Sequence, residues 1–89
     1  MKIKIELFGA ARDFAQDDFL ELALPTKSNV KEVRENLLNF IQTKYPDNKN
    51  YLEIVKRSAF ANEQNEIVQD DYALSDQSKL CIIPPVGGG

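Results

Sequence analysis

The sequence predicts an α+β domain in which one main helix packs on one face of a mixed sheet of four to five strands. Three segments lead to this prediction. Residues 2–8 alternate apolar and polar side chains, residues 30–45 repeat apolar side chains at helical spacing, and residues 80–83 are an apolar run near the end of the chain. Each segment has an apolar face, and a helix packed on a sheet buries all three.

The bulk properties indicate one small domain and exclude several classes of function. The chain has 89 residues, of which 43% are hydrophobic and 28% charged, a composition too apolar for disorder. The net charge is −3 and no basic cluster occurs. We therefore expect neither a nucleic-acid partner nor a membrane surface as partner. No apolar stretch approaches the roughly 20 residues that span a bilayer.

Histidine is absent and cysteine occurs once, at Cys81. The chain therefore lacks the commonest general base near neutral pH and any cluster of zinc-binding thiolates, so we expect no metal site and no enzymatic activity by this chain alone. A single cysteine forms no internal disulfide, and the N-terminus lacks a signal-peptide pattern, which favours a cytoplasmic location. Because Cys81 lies inside a strand, we expect a small buried hydrophobe rather than a sulfur-transfer group.

The first half of the chain predicts two strands and a helix. The first strand buries Ile3, Ile5 and Leu7, while Phe8 falls out of phase on the polar face. Residues 9–15 are a bend or short helical turn, and residues 19–24 form a second strand, antiparallel to the first. Asn29 and Glu32 have the spacing of a capping box at the start of the main helix. Residues 51–55 suggest a short second helix.

The second half predicts three more strands. Residues 59–61 and 67–68 flank a polar turn, residues 72–74 are interpreted as a single helical turn, and residues 79–83 form the last strand. We place the first and last strands side by side and parallel in the sheet centre, which is a β-grasp, or ubiquitin-like, fold. The alternative is a ferredoxin-like split βαβ fold, which needs a second comparable helix; residues 49–57 are a weak candidate.

The end of the chain is its most unusual feature. Directly after the last strand come Pro84, Pro85, Val86, Gly87, Gly88 and Gly89, which include three of the four glycines and two of the four prolines. The prolines hold the exit extended, and the glycines give a thin thread with an unhindered carboxylate. Six extended residues reach about 20 Å. We therefore predict a domain over residues 1–83 and an extended tail over 84–89 that enters a partner.

This ending resembles that of the small subunit of molybdopterin synthase, a sulfur carrier of the MoaD/ThiS ubiquitin-like superfamily. That family closes its last strand with apolar residues followed by Pro-Pro-Val-x-Gly-Gly, as residues 82–89 do here. Residues 7–13 resemble the family's first strand and following turn. Leu24-Pro25, the start of the helix and residues 74–76 also fall at corresponding places.

The resemblance implies a function for the C-terminal carboxylate. Gly89 would be adenylated by an E1-like enzyme that uses ATP, and would receive sulfur from a desulfurase or rhodanese to form a thiocarboxylate. Residues 84–88 would carry it into the large subunit, where sulfur passes to cyclic pyranopterin monophosphate (precursor Z) in molybdenum cofactor biosynthesis. The catalytic residues would lie on the large subunit, and the complex would be a heterotetramer. This chain itself would bind no cofactor.

A docking surface is expected beside the tail. Phe8 and Ile83 both lie out of phase with the buried faces of their strands, and on neighbouring strands they would form an exposed apolar patch. The alternative is that an edge loop or the segment at Tyr51 covers them. Arg12 is a candidate to flank the patch and pair with acidic residues of a partner; a plain solvated arginine is the other interpretation.

Three other functions stay open. The chain can be a carrier for another pathway, namely thiamine, cysteine or tRNA thiolation. It can also be a protein modifier that forms isopeptide bonds to lysines through Gly89. The least specific alternative is an interaction module with an inert tail.

Overall fold

The computed structural model describes residues 1–85, which fold around a five-stranded mixed sheet in the order β2-β1-β5-β3-β4. The strands are β1 (Lys2–Leu7), β2 (Phe19–Ala23), β3 (Ala59–Ala61), β4 (Ile67–Val68) and β5 (Lys79–Ile83). The helices are α1 (Val30–Lys44), α2 (Lys49–Arg57) and a 3₁₀ helix (Gly9–Phe14). Across these residues, no helix is both long and apolar enough to cross a membrane.

The two most regular strands lie together in the sheet, as predicted. β1 and β5 are parallel, with Ile5 opposite Leu80 and Leu7 opposite Ile82. β2 is antiparallel to β1, and β3 is antiparallel to both β4 and β5. This arrangement confirms the β-grasp fold.

The core lies between one face of the sheet and the helices. Cross-strand neighbours share a face, so the row through Leu7, Ile82 and Phe60 points to the helices, and all three side chains are buried. α1 adds the stripe that its spacing predicts. Its fully buried side chains are Val30, Val33, Leu37 and Ile41. Across residues 1–85, most side chains on the opposite face of the sheet are exposed or half-buried, with Ala61 buried, and we call it the open face.

The start of α1 is closed by the predicted capping box. The Asn29 side chain accepts a hydrogen bond from the Glu32 N–H, and the Glu32 carboxylate accepts one from the Asn29 N–H, both at 3.3 Å. Two orphan backbone donors of the first turn are satisfied in this way.

The predicted helical turn at residues 72–74 is wrong. This segment is extended, and Ala73 forms an isolated antiparallel bridge with Asn29. The Val30 N–H donates to the Tyr72 carbonyl at 3.1 Å, and the Leu74 N–H donates to the Ser28 carbonyl at 3.0 Å. The segment is held extended because it supplies acceptors that the first turn of α1 needs.

The second helix is better developed than the sequence indicated. α2 has nine residues, and the Asn48 side chain caps it by accepting a hydrogen bond from the Tyr51 N–H at 3.0 Å. It follows α1 with no strand between them, so the order of elements is not that of the ferredoxin-like alternative.

Candidate functional site

The tail begins at the sheet edge where β1 and β5 both end. Leu7 and Ile82 are the last residues through which β1 and β5 pair with each other. The chain leaves the sheet at Phe8-Gly9 on one strand and at Ile83-Pro84 on the other. Gly9 has φ of +52°, and a Cβ built on it would lie 3.8 Å from Pro84 Cγ. Gly9 therefore turns the chain into the 3₁₀ helix against the first residue of the tail.

Phe8 and Ile83 are the next residues along these neighbouring parallel strands. Each side chain points away from the core face occupied by Leu7 and Ile82. Phe8 is 48% exposed, and Ile83 is half-buried. The structure thus places both residues on the open face at the tail root, where a patch was predicted.

The apolar part of the open face extends further than the sequence analysis indicated. One cross-strand row runs from Ile67 through Ala61, Cys81 and Glu6 to Phe19. Ile67 is 57% exposed and Phe19 is 37% exposed. For Phe19 the signal was present in the sequence, because it is out of phase with Leu20 and Leu22, as Phe8 is with Leu7. For Ile67 it was not, because a two-residue strand has no period.

Arg12 lies on the 3₁₀ helix and forms an ion pair with Asp18 within the chain. Both side chains are largely exposed. Such a pair contributes little to stability and is readily exchanged for another carboxylate. The structure thus gives Arg12 a partner of its own, and its role in docking stays a prediction.

Cys81 lies in β5, with its side chain on the open face and half-buried. Burial, and then the nearby Glu6 carboxylate, raise the pKa of its thiol above the ordinary value. A thiol with a raised pKa has less of the nucleophilic thiolate form. Cys81 is therefore half-buried rather than buried as predicted, and the raised pKa of its thiol disfavours a nucleophilic role.

The predicted reactive end lies outside the described residues. The prediction for Pro84 and Pro85 falls on the last residues that the structure describes, whereas Val86, Gly87, Gly88 and Gly89 are beyond them. What the structure provides is the origin of the tail, which follows an inner strand of the sheet, since β5 pairs with both β1 and β3.

A β-grasp domain whose inner strand ends in a glycine tail defines the class of ubiquitin-like carrier and modifier proteins. The chain belongs to the ThiS family, whose model matches residues 5–89. It is a small ubiquitin-like protein of the sulfur-carrier or modifier type, with no separate catalytic domain in the described part. No curated protein sequence matches it significantly.

Similar solved structures come from both archaea and bacteria. Subunit 1 of the molybdopterin converting factor of Pyrococcus furiosus has a TM-score of 0.66 and 23% identity, over 96% of this chain and 98% of that one. The small archaeal modifier protein 1 of Haloferax volcanii has a TM-score of 0.69 and 14% identity, over 96% and 98%. The complex of subunits 1 and 2 of the molybdopterin-converting factor of Helicobacter pylori has a TM-score of 0.59 and 17% identity, over 100% of both chains. At these identities the likeness establishes the fold.

Proposed function

We propose that this chain is the sulfur-carrier subunit of molybdopterin synthase. The observation that carries the proposal is the ending, in which Pro-Pro-Val-Gly-Gly-Gly follows directly on an inner strand of a β-grasp sheet. Because β5 is paired on both sides, the tail has a rigid origin. The names of the structural relatives from P. furiosus and H. pylori support the same pathway.

The chemistry takes place at the Gly89 carboxylate. One carboxylate oxygen attacks the α-phosphate of ATP on an E1-like enzyme, and pyrophosphate leaves. The terminal sulfur of a persulfide on a desulfurase or rhodanese then attacks the acyl carbon and displaces AMP. A thiol cleaves the resulting acyl disulfide, which forms a disulfide between the two thiols and leaves the thiocarboxylate on Gly89. This sulfur is transferred to cyclic pyranopterin monophosphate, and water releases Gly89 as carboxylate. The chain supplies no catalytic side chain and binds no cofactor, and ATP belongs to the activating enzyme.

The large subunit is the proposed acceptor partner. The apolar patch of Phe8 and Ile83 lies at the tail root, so a protein that docks on it receives the tail directly. Pro84 to Gly88 then extend into its active site, and Arg12 pairs with an acidic residue at the rim. Two such pairs in a heterotetramer complete the proposed assembly, in the cytoplasm.

The test is the intact mass of the protein isolated from its host with the E1-like enzyme present. We expect a species in which one oxygen is replaced by sulfur at Gly89, and co-purification with the large subunit. An unmodified carboxylate throughout would contradict the proposal. As a matched control, a chain that lacks Gly89 should stay unmodified.

Two other uses of the same tail give different outcomes. A carrier for thiamine, cysteine or tRNA thiolation would also form the thiocarboxylate but would co-purify with a different acceptor, such as a thiazole synthase. A protein modifier, which the H. volcanii relative's name suggests, would give high-mass adducts in cell extract that disappear without Gly89.

A further inference from the structure

A groove of about 200 Å³ lies beside the tail root, away from the Phe8 and Ile83 patch. We call it the tail-root groove. One wall is Ala10 of the 3₁₀ helix, another is a face of α2, and Pro84 and Pro85 complete it. The α2 residues are Asn50, Glu53, Ile54 and Arg57, whose spacing puts them on one helix face. A protein that binds the tail at Pro84 and Pro85 therefore also contacts this groove.

The tail-root groove has a mixed lining, and its apolar part consists of Ala10, Ile54, Pro84 and Pro85. Ile54 is half-buried between the core and the groove, while Val55 beside it is fully buried. Pro84 and Pro85 are also half-buried, and Ala10 has a side chain too small to fill the space. The groove thus has the size and surface for one aliphatic side chain of a partner.

The charge at the rim comes from Arg57. Glu53 is engaged by Lys56, with 3.8 Å between Nζ and the carboxylate. Arg57 is exposed and makes no ion pair with residues 1–85. The turn that carries it is fixed, because the Arg34 guanidinium donates to the carbonyls of Val55 at 2.8 Å and Ser58 at 2.7 Å. A guanidinium carried on a fixed turn beside the apolar part of the groove is complementary to a carboxylate.

We propose that the tail-root groove binds a segment of the activating enzyme in which an aliphatic side chain lies next to an aspartate or glutamate. The proposal rests on the proposed function only in requiring that Gly89 is activated. A carboxylate accepts neither sulfur nor an amine until one oxygen becomes a leaving group, so the activating enzyme serves every acceptor considered above. Gly89 lies four residues beyond Pro85, about 13 Å when extended, so the enzyme that holds its carboxylate reaches the groove.

The experiment measures ATP–pyrophosphate exchange by the host's E1-like enzyme as the concentration of the full-length carrier is varied. Arg57→Glu should raise the KM for the carrier about tenfold and leave kcat unchanged, because the groove binds but does not react. Lys49→Glu is the matched control, since it makes the same change in charge at an exposed position of α2 that does not line the groove. Ile54→Ala should also raise KM. Urea denaturation checks that each variant is folded.

The outcomes separate this proposal from the proposed function. If the wild type supports ATP–pyrophosphate exchange but Arg57→Glu has an unchanged KM, the groove proposal is wrong and the proposed carrier function still stands. Equal effects of Arg57→Glu and Lys49→Glu would also overturn it, since they would indicate long-range charge alone. If the wild type supports no exchange, activation of Gly89 fails and the groove proposal fails with it. A charge reversal on the enzyme that restores a low KM to Arg57→Glu would support direct pairing.

Discussion

At the scale of single residues, Arg34 joins three parts of the chain. Its guanidinium lies 19% exposed on α1, donates to carbonyls at the end of α2 and forms an ion pair with Asp70 at 2.9 Å. It also lies over the Phe60 ring, 5.0 Å from the centroid. Because this cation donates to carbonyls at the end of α2 and also pairs with Asp70, its removal takes a partner from several polar groups at once.

Arg34→Met is therefore expected to lower the free energy of unfolding by about 2 kcal/mol. The matched control is Arg12→Met, which removes an exposed arginine from an exposed ion pair and should cost less than about 1 kcal/mol. Urea denaturation at neutral pH measures both. Equal losses for the two variants would contradict the role assigned to Arg34.

Gly9 is the residue whose backbone conformation matters most at the tail root. Its φ of +52° is in the left-handed region, where a Cβ carries a steric cost. Gly9→Ala should therefore lower the free energy of unfolding by about 1 kcal/mol, whereas Gly9→Asn should cost less because asparagine tolerates this region. Thermal unfolding of the two variants tests this ranking, and the reverse order would count against it.

At the scale of elements, the ends of α1 and β5 are held by short-range polar contacts. The Asn29 cap closes α1, and Asp76 closes the turn between the bridge at Ala73 and β5. The Asp76 carboxylate accepts a hydrogen bond from the Lys2 N–H at 2.8 Å, and the Gln77 N–H donates to the Lys2 carbonyl at 2.9 Å. The parallel pairing of β1 with β5 therefore starts from a fixed register.

Asn29→Ala is expected to destabilise the protein by about 1 kcal/mol, since it removes the acceptor of the capping box. Asn29→Asp keeps the acceptor and adds a negative charge at the helix start, so it should be neutral or stabilising. Urea midpoints of the two variants make the comparison. A loss as large for Asn29→Asp as for Asn29→Ala would rule out the cap as the cause.

Asp76 gives the stability a dependence on pH. The hydrogen bond from the Lys2 backbone holds the pKa of this carboxyl below its ordinary value of 3.8. A group whose pKa is lower in the folded state stabilises above its unfolded pKa, and this stabilisation is lost as pH falls through the folded pKa. Asp76→Asn should thus be less stable than the wild type at neutral pH, and the difference should shrink at about pH 3. Denaturation midpoints at both pH values test this, and a constant difference would refute it.

At the scale of the whole molecule, stability and function are assigned to different parts. The core lies between the sheet and the helices, while Phe8, the tail-root groove and Pro84 lie at the edge of the sheet where β1 and β5 end. Substitutions around this edge should therefore change partner binding more than folding.

Phe8→Asp should weaken binding to the large subunit about tenfold, with little change in stability, because Phe8 is already 48% exposed. Ile67→Asp, at the far side of the open face, is the matched control and should weaken binding less. Titration calorimetry with the purified large subunit measures both. Equal affinities for Phe8→Asp and the wild type would show that the apolar patch of Phe8 and Ile83 is not part of the interface.

Deletion of Gly89 should abolish formation of the thiocarboxylate and change the free energy of unfolding by less than about 0.5 kcal/mol. Insertion of an alanine after Gly89 keeps the tail but adds a Cβ beside the carboxylate, and should also reduce activation. Intact mass and thermal unfolding report on the two effects separately. A modified protein that lacks Gly89 would refute the assignment of the site.

The sequence by itself predicted the β-grasp fold, because its first and last strands and its main helix carry a strong apolar period. It also predicted the capping box, because that contact spans three residues. It also predicted that Phe8 and Ile83 lie away from the core face, because they break the period of their strands. Only the tertiary structure decided that residues 72–74 are extended, since their acceptors serve the start of α1 far away in sequence. It alone brought Ala10, Ile54 and Arg57 together beside Pro84. Local periodicity predicts which face of an element is buried, whereas a groove between elements depends on contacts between distant residues.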